Sequence, residues 1–286
     1  MGASMKDIKL RIKSVQNTMQ TTKAMQLVAA SKLRRARERI ERTSAYFRLI
    51  HETLSDIASN EKGIRSDFMV PRTEINKICY LVIAGDRGLA GGYNSNVFKL
   101  LEAKMKQDGV PACVIPVGKR AVEFCKKRGM EILTEKYAVV EAITPADCAD
   151  AAQFLAKEFM DGTFDQLQLV YTQFKSMLSQ TPTVIQVLPI PTEEPAEKKE
   201  GPGAVTLYEP SPEEVFEAIV PEYISGTVYG AISQSWTSEL AARRNAMDSA
   251  TKNAGDMIDD LSLKYNRARQ GAITQEITEI VAGAEH

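Results

Sequence analysis

The sequence predicts a class of α/β fold in which a compact domain is inserted between two long helices that pair antiparallel as a coiled coil. Three observations predict it. Residues from about 4 to 59 hold one helical pattern, with no Pro and no internal Gly. Residues from about 76 to 190 alternate short apolar runs with helical stretches, the mark of an α/β domain. Residues from about 211 to 282 return to a helical pattern as long as the first. The domain limits are therefore 1–60, 70–190 and 211–286, with 191–210 between the last two.

In the first helix the apolar or small positions are Ile8, Ile12, Val15, Met19, Thr22, Gln26, Ala29, Leu33, Ala36, Ile40, Thr43, Phe47, Ile50, Leu54 and Ile57. They alternate steps of four and three, which is the seam of a coiled coil, weak and small in its middle. Ser4 stands where an N-cap would. At 1.5 Å per residue the helix is about 80 Å long, too long to fit inside one compact domain. Gly63 and Pro71 end the segment.

In the domain, Lys77 to Ala84 reads as a buried strand. It runs into the loop Gly85-Asp86-Arg87-Gly88-Leu89-Ala90-Gly91-Gly92, and a helix follows from about Tyr93. Ala112–Val117 is a second strand, with a helix over Lys119–Arg128. Pro145 opens a helix that runs to about Met160. Gln166–Phe174 and Thr183–Leu188 are two more strands. Residues 191–203 form a charged, Pro- and Gly-containing linker. In the last helix Pro212 suits the first turn, and Pro221 is a place for a kink. Its stripe is Tyr229, Ile232, Trp236, Leu240, Met247, Ala250, Ala254, Ile258, Leu261, Tyr265, Ala268 and Ala272, with Arg243 in the one gap. Two long terminal helices around an inserted domain pair most economically in antiparallel fashion.

The chemistry is sparse. The formal net charge is −1, so charge does not suggest a nucleic-acid protein. Between Lys6 and Arg48, however, about a dozen Lys and Arg face about three Asp and Glu. A DNA-binding basic region forks from a strong Leu zipper. Here the seam residues Ala29, Leu33, Ala36 and Ile40 run straight through the basic stretch, so a basic helix facing an acidic protein partner fits better. Cys79, Cys113, Cys125 and Cys148 form no C-x-x-C pair, and His51 and His286 are the only histidines, which argues against zinc. The cysteines read as small core residues of a reducing compartment. No apolar run approaches the roughly 20 residues of a membrane span. The Gly85–Gly92 loop lies where phosphate loops lie, yet it lacks the Lys-Ser or Lys-Thr of a Walker A motif and the spacing of a dinucleotide fingerprint. It reads as a strand-to-helix turn. Gly118-Lys119-Arg120 is a weak anion signal, and Asp147 and Asp150 are ordinary complements to a helix N-terminus. There is no nucleophile–base pair, no cofactor motif and no metal-ligand cluster, so the chain is not an enzyme by itself.

Both ends carry a resemblance. Ile12-Lys13-Ser14-Val15-Gln16-Asn17-Thr18, followed by Thr22-Lys23-Ala24-Met25-Gln26-Leu27-Val28-Ala29-Ala30-Ser31-Lys32, closely resembles the first helix of F-type ATP synthase γ subunits. The stretch from Tyr265 through Arg269-Gln270-Gly271-Ala272-Ile273-Thr274 to Ala284 resembles that family's C-terminal signature. Asp86-Arg87-Gly88-Leu89 with Gly91 and Asn94 resembles its central motif, departing at Gly85, where Ser is common, and at Ala90, where Cys is common.

The resemblance implies a Rossmann-like inserted domain and the central rotor shaft of the F1Fo ATP synthase, bacterial in type. In that role one copy would turn inside a ring of three α and three β subunits. It would couple proton or sodium flow to ATP synthesis and hydrolysis at the β subunits, and would bind the ε subunit and the c-ring. It would act as a peripheral part of F1 on the cytoplasmic face of the plasma membrane, with no cofactor and no nucleic acid. By position, Arg269, Gln270, Thr274, Glu276, Lys23, Met25, Arg34, Arg35, Arg37 and Arg243 correspond to contacts with β. Ile273, Ile277 and Ile280 correspond to an apolar bearing, and Tyr208 and Glu209 to the foot that meets ε and the c-ring. Two other readings are a coiled-coil scaffold with an α/β docking domain and a Rossmann-like enzyme with helical arms. The first predicts self-association, the second a cofactor or activity in the isolated chain.

Overall fold

The computed structural model describes residues 4–60, 66–70, 72–191 and 208–284. Gly63, Pro71, His286 and most of the expected 191–203 linker lie outside the described residues, as do the side chains of Thr43, Phe47 and His51. Two compact units are present, Met1–Ser31 with Arg243–His286, and Lys32–Ala242.

Helix α1 spans Met5–Asn60 and α5 spans Pro212–Ala284. Each start has a local cause. Ser4 Oγ accepts from the Asp7 N–H while the Asp7 carboxylate accepts from the Ser4 N–H, both at 3.3 Å, a reciprocal capping box. Ser211 Oγ accepts from the Glu214 N–H at 3.2 Å, and Pro212, which lacks an N–H, takes the first turn of α5. The helix continues through Pro221.

In the first unit the two helices run antiparallel with a polar seam. The Thr22 and Thr251 hydroxyls lie 2.8 Å apart, and Gln26 Nε2 donates to Asp248 at 2.8 Å. In the second unit α1 and α5 are again antiparallel. Leu33 and Ala36 pack with Leu240 and Ala241 beside Trp236, and farther along Arg39 meets Tyr229.

The second unit also holds the sheet. Strands β1 (Ile78–Ile83), β2 (Ala112–Val117), β3 (Glu131–Ile132), β4 (Gln166–Phe174) and β5 (Gln180–Leu188) lie in the order β3-β2-β1-β4-β5. All pairings are parallel except β4 with β5. Helices α2 (Tyr93–Asp108), α3 (Lys119–Lys127) and α4 (Pro145–Met160) make the crossovers, with one 3-10 turn at Val140–Ala142. On one face Val97 and Leu101 of α2 and Cys125 of α3 pack on Tyr80 and Val82. On the other, α4 and the domain-facing side of α5 pack on Leu81, Ile83 and Leu169 in a larger core. Strand β1 is buried throughout, which is why it reads as a continuous apolar run.

The sequence expectation missed β3, which has two residues, and the 3-10 turn. It also started the last strand at Thr183, whereas β5 begins at Gln180. Pro182 looks like a strand breaker, but β5 is an edge strand and Pro182 sits opposite Thr172. The Thr172 N–H and C=O both bond elsewhere, so no donor is needed at Pro182.

Candidate functional site

The strand order reverses between β1 and β4, and in doubly wound sheets the crevice past the carboxyl ends of such strands is where ligands bind. In this chain that crevice is filled by its own side chains. The Thr172 N–H donates to Ser235 Oγ of α5 at 3.0 Å, and Ser238 Oγ donates to the Thr172 carbonyl at 3.3 Å. The buried Glu239 carboxylate lies where a side chain on Gly85 would be: a Cβ there would come 2.6 Å from the Glu239 carboxyl carbon.

The glycine-rich loop is built to hold its own shape. Asn94 Oδ1 accepts from the Gly85 N–H at 2.8 Å, and its amide donates to the Arg87 carbonyl at 3.2 Å. Leu89 and Gly91 both take positive φ, at 62° and 57°. The Asp86 carboxylate accepts from the N–H groups of Lys119, Val140 and Glu141 at 3.1–3.2 Å. The anion signal at Gly118-Lys119 is therefore answered from within, because Asp86 stands where a phosphate oxygen would at the start of α3. Gly118, at φ 96°, has the Ala84 carbonyl oxygen 2.1 Å from any Cβ, so only glycine fits.

The cysteines are free and buried, as small core residues should be. Burial pushes the Cys125 thiol up to about 11, and burial with the neighbouring Asp147 carboxylate pushes Cys148 up to about 12. Among the described residues no group of three His, Cys, Asp or Glu is placed to hold a metal, and no helix is long and apolar enough to cross a membrane.

The outer surface of the helices is where the chain has groups to spare. The basic stretch from Lys32 to Arg39, of which Arg34, Arg35 and Arg37 correspond by resemblance to β contacts, divides into two faces in the structure. Lys32 forms an ion pair with Glu141. Arg39 donates to the Tyr229 hydroxyl and, at 3.1 Å, to the Ile143 carbonyl, with its guanidinium 4.8 Å over the Tyr229 ring. Arg34, Arg35 and Arg37 are exposed. Helical geometry explains the split: Lys32, Ala36 and Arg39 recur every three to four residues and share a face. Lys23 and Met25 are exposed, and Arg243 is half-buried. Arg269, Gln270, Thr274 and Glu276 are all exposed, as are Ile273, Ile277 and Ile280, the last at 66%. Tyr208 packs against the larger core and Glu209 is exposed.

Sequence reasoning missed the buried stretch of α5. From Tyr223 to Ala241 nearly every side chain is buried or half-buried, because this part of the helix meets the domain as well as α1. The available signal was Ser233-Gln-Ser-Trp-Thr-Ser-Glu239, a Ser- and Thr-rich run inside an otherwise patterned helix.

A family model described as ATP synthase matches residues 4–286. The ATP synthase gamma chain of Alkaliphilus metalliredigens is 46% identical over all of this chain and 99% of its own length. The chain belongs to the ATP synthase gamma chain family. The gamma chain of Ruminococcus albus is likewise 46% identical, over 97% of this chain and 96% of its own. The "sodium ion specific" gamma chain of Acetobacterium woodii is 40% identical over 100% and 99%. Among solved structures, the rotor of the Euglena gracilis mitochondrial ATP synthase shares the fold. Its chain superposes with TM-score 0.66 at 18% identity, covering 94% of this chain and 98% of that one. In this chain the α/β domain has no open nucleotide crevice, since α5 occupies it.

Proposed function

We propose that this chain is the central rotor shaft of an F1Fo ATP synthase and that it couples transmembrane proton or sodium flow to ATP synthesis and hydrolysis at the β subunits. The observation that carries the reading is the match to gamma chains along the whole length, at 46% identity. The chain is non-catalytic. One copy stands inside the ring of three α and three β subunits and joins ε and the c-ring. The complex is peripheral to the membrane, on the cytoplasmic face of the plasma membrane. By role, the chain divides into a helix at 1–60, the α/β domain at 70–190, a linker and foot at 191–210, and a helix at 211–286.

The mechanism follows from asymmetry. A partner shifts a conformational equilibrium only by contacting its states differently. A shaft with different residues on its different sides does this to three chemically identical β subunits at once, and turning it passes each through the three situations in order. Ile273, Ile277 and Ile280 form an apolar bearing, which slides because dispersion and hydrophobic contacts have no direction. Arg269, Gln270, Thr274 and Glu276 supply polar contacts that hold at particular angles, each charged hydrogen bond contributing about 1.5–3 kcal/mol. Lys23, Met25, Arg34, Arg35, Arg37 and Arg243 meet β at other levels, and Tyr208 with Glu209 forms the foot. Exposure of nearly all of these side chains supports the assignment.

The test is the Arg269→Ala, Gln270→Ala double variant in the complete complex in vesicles. The reading predicts weakened ATP-driven ion pumping and ATP hydrolysis with the chain still assembled. Wild-type rates would contradict the assigned β contact.

A further inference from the structure

In the second unit the crevice at the switch point of the sheet is occupied by a helix of the same chain. Thr172 lies beyond the residues of β4 that pair with β1, which end at Val170. Its N–H and C=O would be open backbone groups at the sheet's end. Ser235 and Ser238 satisfy both, so α5 does there what a continuing β1 would do.

We infer that this filled crevice is the torque joint of the rotor. Ser235, Ser238 and Glu239 are positioning residues that fix the angle and height of α5 against the α/β domain. The inference rests on the rotor reading and adds a site to it.

The argument is geometric. Apolar contacts tolerate sliding, whereas a hydrogen bond holds only within a few tenths of an ångström and a limited range of angles. Two hydroxyls at i and i+3 on one helix face grip one residue's donor and acceptor. A shift of α5 by three residues would bring Ser238 and Ala241, or Ile232 and Ser235, to Thr172; a shift by four would bring Glu239 and Ala242, or Ala231 and Gln234. None of these offers two hydroxyls, so a single register is selected. The Thr237 hydroxyl donates to the Ser233 carbonyl of its own helix at 2.8 Å and does not compete. Glu239 in the space above Gly85 adds a third point of contact, on the loop after β1. This pairing also gives Gly85 a reason: a side chain there would displace the buried carboxylate.

The experiment uses the complete complex with its α, β, ε and membrane subunits in vesicles. Ions pumped per ATP hydrolysed are measured alongside hydrogen exchange at the Thr172 amide. For Ser235→Ala, Ser238→Ala the inference predicts exchange about tenfold faster, the factor one lost hydrogen bond gives, and loss of pumping at retained hydrolysis. Ser235→Thr, which keeps the hydroxyl, should restore pumping. If the double variant does not assemble, Ser238→Ala alone leaves the Thr172 N–H bonded and should show a smaller loss in the same direction. Faster exchange with an unchanged pumping ratio would overturn the inference, since the hydroxyls would then only hold the fold. A wild-type complex that neither pumps nor rotates would overturn the rotor reading itself.

Discussion

The α/β domain and the C-terminal end of α5 use the same apolar residue types in opposite ways. In β1 every residue from Ile78 to Ile83 is at most 2% exposed. At the end of α5, Ile273, Ile277, Ile280 and Val281 are 43–66% exposed. The domain finishes its core within the chain, while the helix end presents apolar surface that a partner must cover. Damage to the domain should therefore appear as lost stability, and loss of the apolar side chains at the helix end as lost assembly.

The largest effect is expected at Gly118. Replacement by Ala puts a Cβ 2.1 Å from the Ala84 carbonyl oxygen at φ 96°, so overpacking and backbone strain together should cost about 3–5 kcal/mol. Thermal unfolding of the isolated chain should show it, or the chain should fail to fold.

Asp165→Ala comes next. Burial alone would raise this carboxyl, but the Asn76 N–H, the Arg72 guanidinium at 2.6 Å and the Lys77 N–H hold it below its ordinary value. Removing it strands three donors, at about 3 kcal/mol. Because the folded-state pKa is depressed, this stability is fully present above the ordinary value of 3.8 and is lost as pH falls through that value toward the lower folded one. Asp165→Asn should unfold with a shallower acid limb than wild type.

Gly85→Ala should cost less, about 1–3 kcal/mol, because the obstacle is the far end of the Glu239 side chain and not backbone. Against these, Ile273→Ser, Ile277→Ser and Ile280→Ser should each change the isolated chain's stability by no more than about 0.5 kcal/mol. Combined, they should abolish incorporation between α and β subunits. A large drop in melting temperature would break the contrast between the two regions. Thiol labelling sharpens it further, since the four buried cysteines should stay unmodified until the chain is unfolded.

Much of this was legible in residue spacing. Every seam position proposed on α1 and α5 whose side chain is described is buried or half-buried, down to Thr22, Gln26 and Ala272. Period and chain continuity sufficed there, because a helix face is a local property. Strands β1, β2 and β4 were legible from their own apolar runs, which are local as well. What was not legible depends on tertiary placement. Strand β3 exists because β2 pairs with it, Lys32 is held by Glu141 at the surface and Arg39 by Ile143 and Tyr229, and Ser235 and Ser238 matter because β1 stops short of Thr172. The exposed residues near the C-terminus that we propose as β contacts were named only through resemblance. An exposed Arg on a helix has the same local pattern whether it meets water or a partner.

The most direct test of the central claim is native mass spectrometry after co-expression with matching α and β subunits. The account predicts one copy of this chain with three α and three β. A chain that stays apart, forms its own dimers, or enters in three copies would contradict it.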